Sequence, residues 1–108
     1  MPVLDDKNFD IDIKNGVSVV EFFSFWDSGS RVFEDSFKAL SDEFRGKAKF
    51  IASEINANPI LAQKQGVTRV PTVLVYVNGK PVAKVIDLSK RLLKEKIDYF
   101  VKKKDDLA

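Results

Sequence analysis

A chain of 108 residues that is 44% apolar, with 9 Phe, can bury one continuous core and falls in the range of a single domain spanning 1–108. It has neither Cys nor His, which excludes thiol–disulfide exchange, Cys/His metal sites and a histidine general base. A net charge of +2, with both signs interspersed, gives no field that would recruit nucleic acid, and no apolar run nears the ~20 residues of a membrane span.

The N-terminus lacks a basic segment followed by an apolar one, so the expected location is cytoplasmic. The expected state is a monomer without metal or cofactor. Lys102-Lys103-Lys104, before Asp105-Asp106, reads as a solvated tail.

In chain order, Val3-Leu4 reads as a short first strand. Asp5, Asp6, Phe9, Ile11 and Ile13 suggest a helix that stops near Asn15-Gly16. Val17 to Phe23 is dense in β-branched and aromatic residues without clean alternation, which predicts a central strand buried on both faces, with Glu21 the exception inside it. Val32, Phe33, Phe37, Leu40 and Phe44 then recur at helical spacing over Arg31 to Phe44, with Ser28 or Ser30 expected as N-cap.

Phe50 to Ile55 reads as a strand. Asn58-Pro59 reads as a cap and first helical position, opening a helix that runs through Gln65 and stops at Gly66. Thr72 to Val77, Asn78-Gly79 and Lys80 to Ile86 form a hairpin signal, and Ser89 caps a last helix carrying Leu92, Leu93, Ile97, Phe100 and Val101. The order is β-α-β-α-β-α-β-β-α. Helical crossovers followed by a hairpin imply a mixed central β-sheet flanked by helices, an α/β class.

The segment from Phe22 to Arg31 carries the sharpest information. An apolar strand ends at Trp26, a small polar turn of Asp27, Ser28, Gly29 and Ser30 follows, and a helix begins. Downstream lie Asn58-Pro59, Gly66-Val67-Thr68-Arg69-Val70-Pro71-Thr72, Asn78-Gly79-Lys80 and Leu88-Ser89-Lys90. In order and spacing the whole chain resembles the thioredoxin family, whose turn reads Trp-Cys-Gly-Pro-Cys. The resemblance implies the thioredoxin fold. It also implies a cis peptide at Val70-Pro71 that lies against the turn, with the backbone before the proline pairing with extended substrate peptide, and a proton-handling buried acid at Glu21.

The departures bear on function. Asp27 and Ser30 stand where the family has its two cysteines, so no catalytic residue can be assigned. Ser28 and Gly29 replace the Gly-Pro of the turn, Asp35 replaces a helix proline, Ala52 stands where bacterial members often place a lysine, and the loop Ile86-Asp87-Leu88 is one residue shorter and lacks its glycine. These changes together predict a redox-inactive domain that binds a protein or extended peptide through Trp26, Ser28, Gly29, Arg69, Val70, Pro71 and Asp87. One alternative is a thioredoxin whose cysteines were replaced experimentally, although such an exchange ordinarily touches the two cysteines alone. Another is an anion site at the free N–H groups of the helix start beside Arg31, which Asp27 would oppose by repulsion. With no cysteine to serve, Glu21 is expected to be buried, unpaired and raised in pKa.

Overall fold

The computed structural model describes residues 6–86 and 88–106. The expected first strand at Val3-Leu4 and the site candidate Asp87 lie outside the described residues. Eight elements follow in order: α1 (Asp6–Asp12), β1 (Val17–Phe23), α2 (Ser28–Glu43), β2 (Lys49–Glu54), α3 (Pro59–Lys64), β3 (Thr72–Val77), β4 (Lys80–Val85) and α4 (Lys90–Lys103).

The four strands form one sheet in the order β2-β1-β3-β4. β1 runs parallel to β2, reached through the α2 crossover, and antiparallel to β3, while β3 and β4 form the hairpin. The mixed sheet expected from helical crossovers and a terminal Asn-Gly turn is therefore present. At that turn Asn78 and Gly79 both adopt positive φ, at 51° and 85°. Two consecutive left-handed residues match the twist of a two-residue hairpin, which is why Asn-Gly is so strong a signal. The turn is docked as well as folded, since the Asn78 N–H donates to the Gly16 carbonyl and Asn78 Oδ1 accepts from the Gly16 N–H, both at 2.9 Å.

Both faces of the sheet are covered. On one, Val17 and Val19 of β1, Phe50 of β2 and Val73, Val75 and Val77 of β3 pack against Phe33, Phe37 and Leu40 of α2 and Leu93 and Ile97 of α4. On the other, Val20, Phe22, Ile51, Leu74 and Tyr76 pack against Phe9 and Ile13 from the α1 side and Leu61 and Ala62 of α3. Strand residues alternate between faces, so β1 needs apolar side chains at nearly every position. Tyr76 solves its polar end by donating its hydroxyl to Gln65 Oε1 at 2.6 Å while Phe9 meets its ring edge-on.

Two local readings are corrected. Val32 has helical spacing but is 82% exposed, because the inward stripe of α2 runs through Phe33, Phe37 and Leu40. Asn58 is the N-cap of α3 as expected, without a side-chain capping bond, and Pro59 opens the helix. The cap of α2 is neither Ser28 nor Ser30 but Asp27. Among the described residues, no helix is long and apolar enough to cross a membrane.

Val32 and Phe37 make a direct test of which stripe faces inward. Phe37→Ala should cost about 3–5 kcal/mol, since it empties a fully buried aromatic site, whereas Val32→Ala should stay within ~0.5 kcal/mol. Denaturant unfolding of both variants measures this. Comparable losses would mean that α2 is rotated relative to this packing.

Candidate functional site

Beyond Phe23 the chain must leave the sheet, and the N–H groups from Ser24 to Asp27 need partners that strand pairing no longer supplies. Each finds one. The Ser24 N–H donates to the Ser30 hydroxyl at 3.2 Å, Phe25 N–H to Glu54 Oε2 at 3.1 Å, Trp26 N–H to the Ser24 hydroxyl at 3.2 Å, and Asp27 N–H to the Ser24 carbonyl at 3.1 Å. Asp27 then starts α2: its backbone is extended, and its Oδ2 accepts the Ser30 N–H at 2.7 Å. An acid bonded to the first turn of a helix is favourable both as a cap and against the helix dipole.

The two residues standing where cysteines would lie are thus built into the turn. Ser30 is buried with its hydroxyl on Ser24, and Asp27 holds the helix start. A carboxylate already occupies the position where an incoming anion would meet the N–H groups of that start. Arg31, the nearest cation in sequence, donates to the Phe25 carbonyl at 2.9 Å.

The Val70–Pro71 peptide is cis. Pro71 lies against the turn at Gly29, where an added Cβ would stand 3.1 Å from Asp27 Oδ2 and 3.3 Å from Pro71 Cδ. Gly29 therefore allows an approach that a side chain would crowd. Ser28, Gly29, Val32, Phe33, Ser36, Pro71, Ile86 and Leu88 line a shallow open groove at this meeting of loops. Trp26, 85% exposed, stands on the same turn, and Phe25 and Ile86 are also exposed. Val70 is half-buried, and its backbone makes no hydrogen bond among the described residues; the Arg69 carbonyl accepts from Thr72 Oγ1 at 2.7 Å. The structure thus gathers Trp26, Ser28, Gly29, Val70 and Pro71 at one end of the sheet, with Arg69 exposed beside them.

Sequence reading missed the residue that fastens this end together. Glu54, the last residue of β2, is buried, and its two carboxylate oxygens accept the N–H groups of Phe25, Asn56 and Ala57 and the Asn56 amide. An acid at a strand end followed by Ile-Asn-Ala-Asn was the available signal, since such residues serve turns through their backbone donors. Burial pushes the Glu54 carboxyl up, but the N–H donors of Ala57, Phe25 and Asn56 outweigh it and hold the group below its ordinary value.

Glu21 is the opposite case on the neighbouring strand. It is 5% exposed, its Oε2 has no hydrogen-bond partner, and its cross-strand neighbour is Ala52. Burial, reinforced by the nearby Glu34, raises its pKa to about 7. Its side of the sheet opens on a cavity of about 180 Å³ flanked by Arg31, Glu34 and Lys38, three α2 residues whose three- and four-residue spacing puts them on one flank.

The comparisons with known proteins agree with this geometry. The family model described as Thioredoxin matches residues 1–103. The chain is similar to the thioredoxin of Staphylococcus saprophyticus, with 33% identity over 81 residues that cover 75% of this chain and 78% of that protein. A thioredoxin of Staphylococcus aureus (strain N315) is 31% identical over the same shares. Among solved structures, Plasmodium falciparum thioredoxin superposes with a TM-score of 0.86 at 24% identity, covering 93% of this chain and 99% of that one. A mutant thioredoxin from Halobacterium salinarum NRC-1 gives 0.83 at 24% identity, covering 92% and 88%.

The two buried acids should pull the pH dependence of stability in opposite directions. Glu21, raised in the fold, contributes stability in full below its unfolded pKa of about 4.3 and loses it as pH climbs through about 7. Between those limits the loss should be on the order of 3 kcal/mol, and Glu21→Gln should flatten it and leave the protein more stable near neutrality. Denaturant midpoints for parent and variant from acid to neutral pH measure this, and parallel curves would mean that another group titrates.

Glu54, depressed in the fold, stabilises above its unfolded pKa and ceases to do so as pH falls through its folded one. Glu54→Gln should therefore cost about 1–3 kcal/mol near neutral pH. The gap from the parent should narrow in acid, and a constant gap would show that the carboxylate charge is not what the loop N–H groups hold.

Proposed function

Because the chain belongs to the thioredoxin family yet contains no cysteine, we propose that it is a redox-inactive member that binds other proteins, as an extended peptide laid across the Trp26 turn and the Pro71 loop. One observation carries this reading: the turn and the cis-proline loop stay packed together at Gly29, with Trp26 exposed beside them, in a chain that has no thiol for them to serve. Without a use, an indole at 85% exposure is an unfavourable way to place so much apolar surface. Trp and Tyr anchors characterise binding sites because a large rigid ring buries much area at small entropic cost.

The chemistry supports binding over catalysis. Disulfide exchange requires a thiolate to attack sulfur and a second thiol to resolve the mixed disulfide, and neither a carboxylate nor a hydroxyl performs those steps. Asp27 and Ser30 are engaged in the hydrogen bonds of the turn, and the chain has no His to serve as a base for a serine. The Val70 backbone, half-buried and without an internal partner among the described residues, suits main-chain pairing with an extended peptide. The groove between α2 and Pro71 offers apolar walls at Val32, Phe33 and Ile86 for the side chains of such a peptide.

The protein should show no acceleration of disulfide reduction over external dithiol alone in a turbidity assay with a reducible substrate. Affinity capture should return a partner set that Trp26→Ala and Val70→Asp both deplete by at least about tenfold, equivalent to ~1.4 kcal/mol or more per change. An unchanged set with both variants would remove the binding surface from this end of the sheet. Protein-dependent reductase activity would reject the redox-inactive reading itself.

A further inference from the structure

The cavity above Glu21 lies on the flank of α2 away from Pro71 and shares no lining residue with the groove described above. Phe23, Phe25 and Ala52 give it apolar walls, Ser24 and Ser30 also line it, and so does the buried Glu21, whose Oε2 has no hydrogen-bond partner. Every charged group that faces Glu21 there comes from α2, because the paired residue on β2 is Ala52. The two cations have other bonds: Arg31 Nη1 donates to the Phe25 carbonyl at 2.9 Å, and Lys38 Nζ sits 3.5 Å from Glu34 Oε1. Glu34 adds a second negative charge, close enough to help raise the pKa of Glu21.

The cavity thus combines apolar walls with a buried carboxyl that lacks a donor, rimmed by serine hydroxyls and by charges already paired with one another or with the backbone. An anion would meet two carboxyls, and among the described residues no group of three or more acids could hold a metal ion. A neutral alcohol could hydrogen-bond there but would leave the charge uncompensated once Glu21 ionises. A charged donor on an apolar stem satisfies both the walls and the acid. We propose that this cavity binds a small organic ammonium ion, a short aliphatic amine whose stem contacts Phe23, Phe25 and Ala52 and whose ammonium group bonds Glu21.

Backbone amide NMR titrations with butylammonium, butan-1-ol and butyrate, each at about pH 8 and about pH 5, test this. Butylammonium should shift the amides of Glu21, Ala52 and Ser30 saturably at the higher pH, bind at least about tenfold more tightly than butan-1-ol, and lose most of that preference at the lower pH. Glu21→Gln, which preserves side-chain size, should bring amine and alcohol to parity, Ala52→Leu should fill the space and abolish both, and Trp26→Ala should change neither. Parity of amine and alcohol in the parent protein would overturn the proposal. So would a preference that survives Glu21→Gln, absence of amine binding, or shifts confined to the Trp26 turn.

Discussion

The double-sided burial of β1 is the constraint from which the rest of the molecule follows. A strand with a parallel neighbour on one edge, an antiparallel neighbour on the other and helices on both faces has no solvent-facing row on which to place a polar residue. Its register then fixes what meets what. Val17, Val19 and Glu21 share the face that α2 covers, whereas Val20 and Phe22 share the face of α1 and α3. The same register sets Glu21 beside Ala52 and ends the ladder with Phe23 beside Glu54. One acid is consequently trapped under a helix without a partner, and the other arrives where the chain turns away and backbone donors come free.

Those two carboxyls show how far geometry outweighs burial as such. Both are nearly inaccessible, yet they shift in opposite directions because one accepts several N–H groups and the other leaves an oxygen unbonded. Desolvation penalises each charge, and only directed donors repay it. Glu54 therefore belongs to the structural frame of the site, tying the Trp26 turn to the loop between β2 and α3. Glu21 is a polar defect in the core, tolerated because its cavity and its neutral form lessen the cost near and below neutrality.

Much of the architecture was legible in the sequence because local and global signals agree. The Val17 to Phe23 run, the Asn78-Gly79 turn and the Ser89 cap each specify one local conformation, and each is compatible with the same sheet. The failures occur where one residue type can serve two purposes. Val32 fits a helical apolar stripe but belongs to the outer edge of α2, a difference of one residue that only packing resolves. Ser28, Ser30 and Asp27 are all acceptable caps. The choice of Asp27 depends on Ser24, whose N–H draws the Ser30 hydroxyl away from the helix end. Glu54 has local partners in Asn56 and Ala57, but its bond to Phe25 and the Glu21 cavity were illegible for a related reason: they join segments distant in the chain, as Glu34 joins Glu21.

At the turn, the same physics that suits a helix start to a reactive group has been satisfied internally. A helix N-terminus presents unbonded N–H groups and a partial positive charge, which favours any anion placed there, including a thiolate. In this chain the carboxylate of Asp27 takes that place, and the Ser30 hydroxyl closes on the backbone of Ser24. The Ser30 N–H that would otherwise meet a reactive anion is spent on holding the turn, and the turn is held against Pro71 by the close approach at Gly29. Ser24, Asp27 and Ser30 are thus bonded to one another within the turn, while Trp26, Phe25 and Val32 face outward. A surface of that kind has no thiol with which to attack a disulfide, and it presents the apolar area on which the proposed binding role depends.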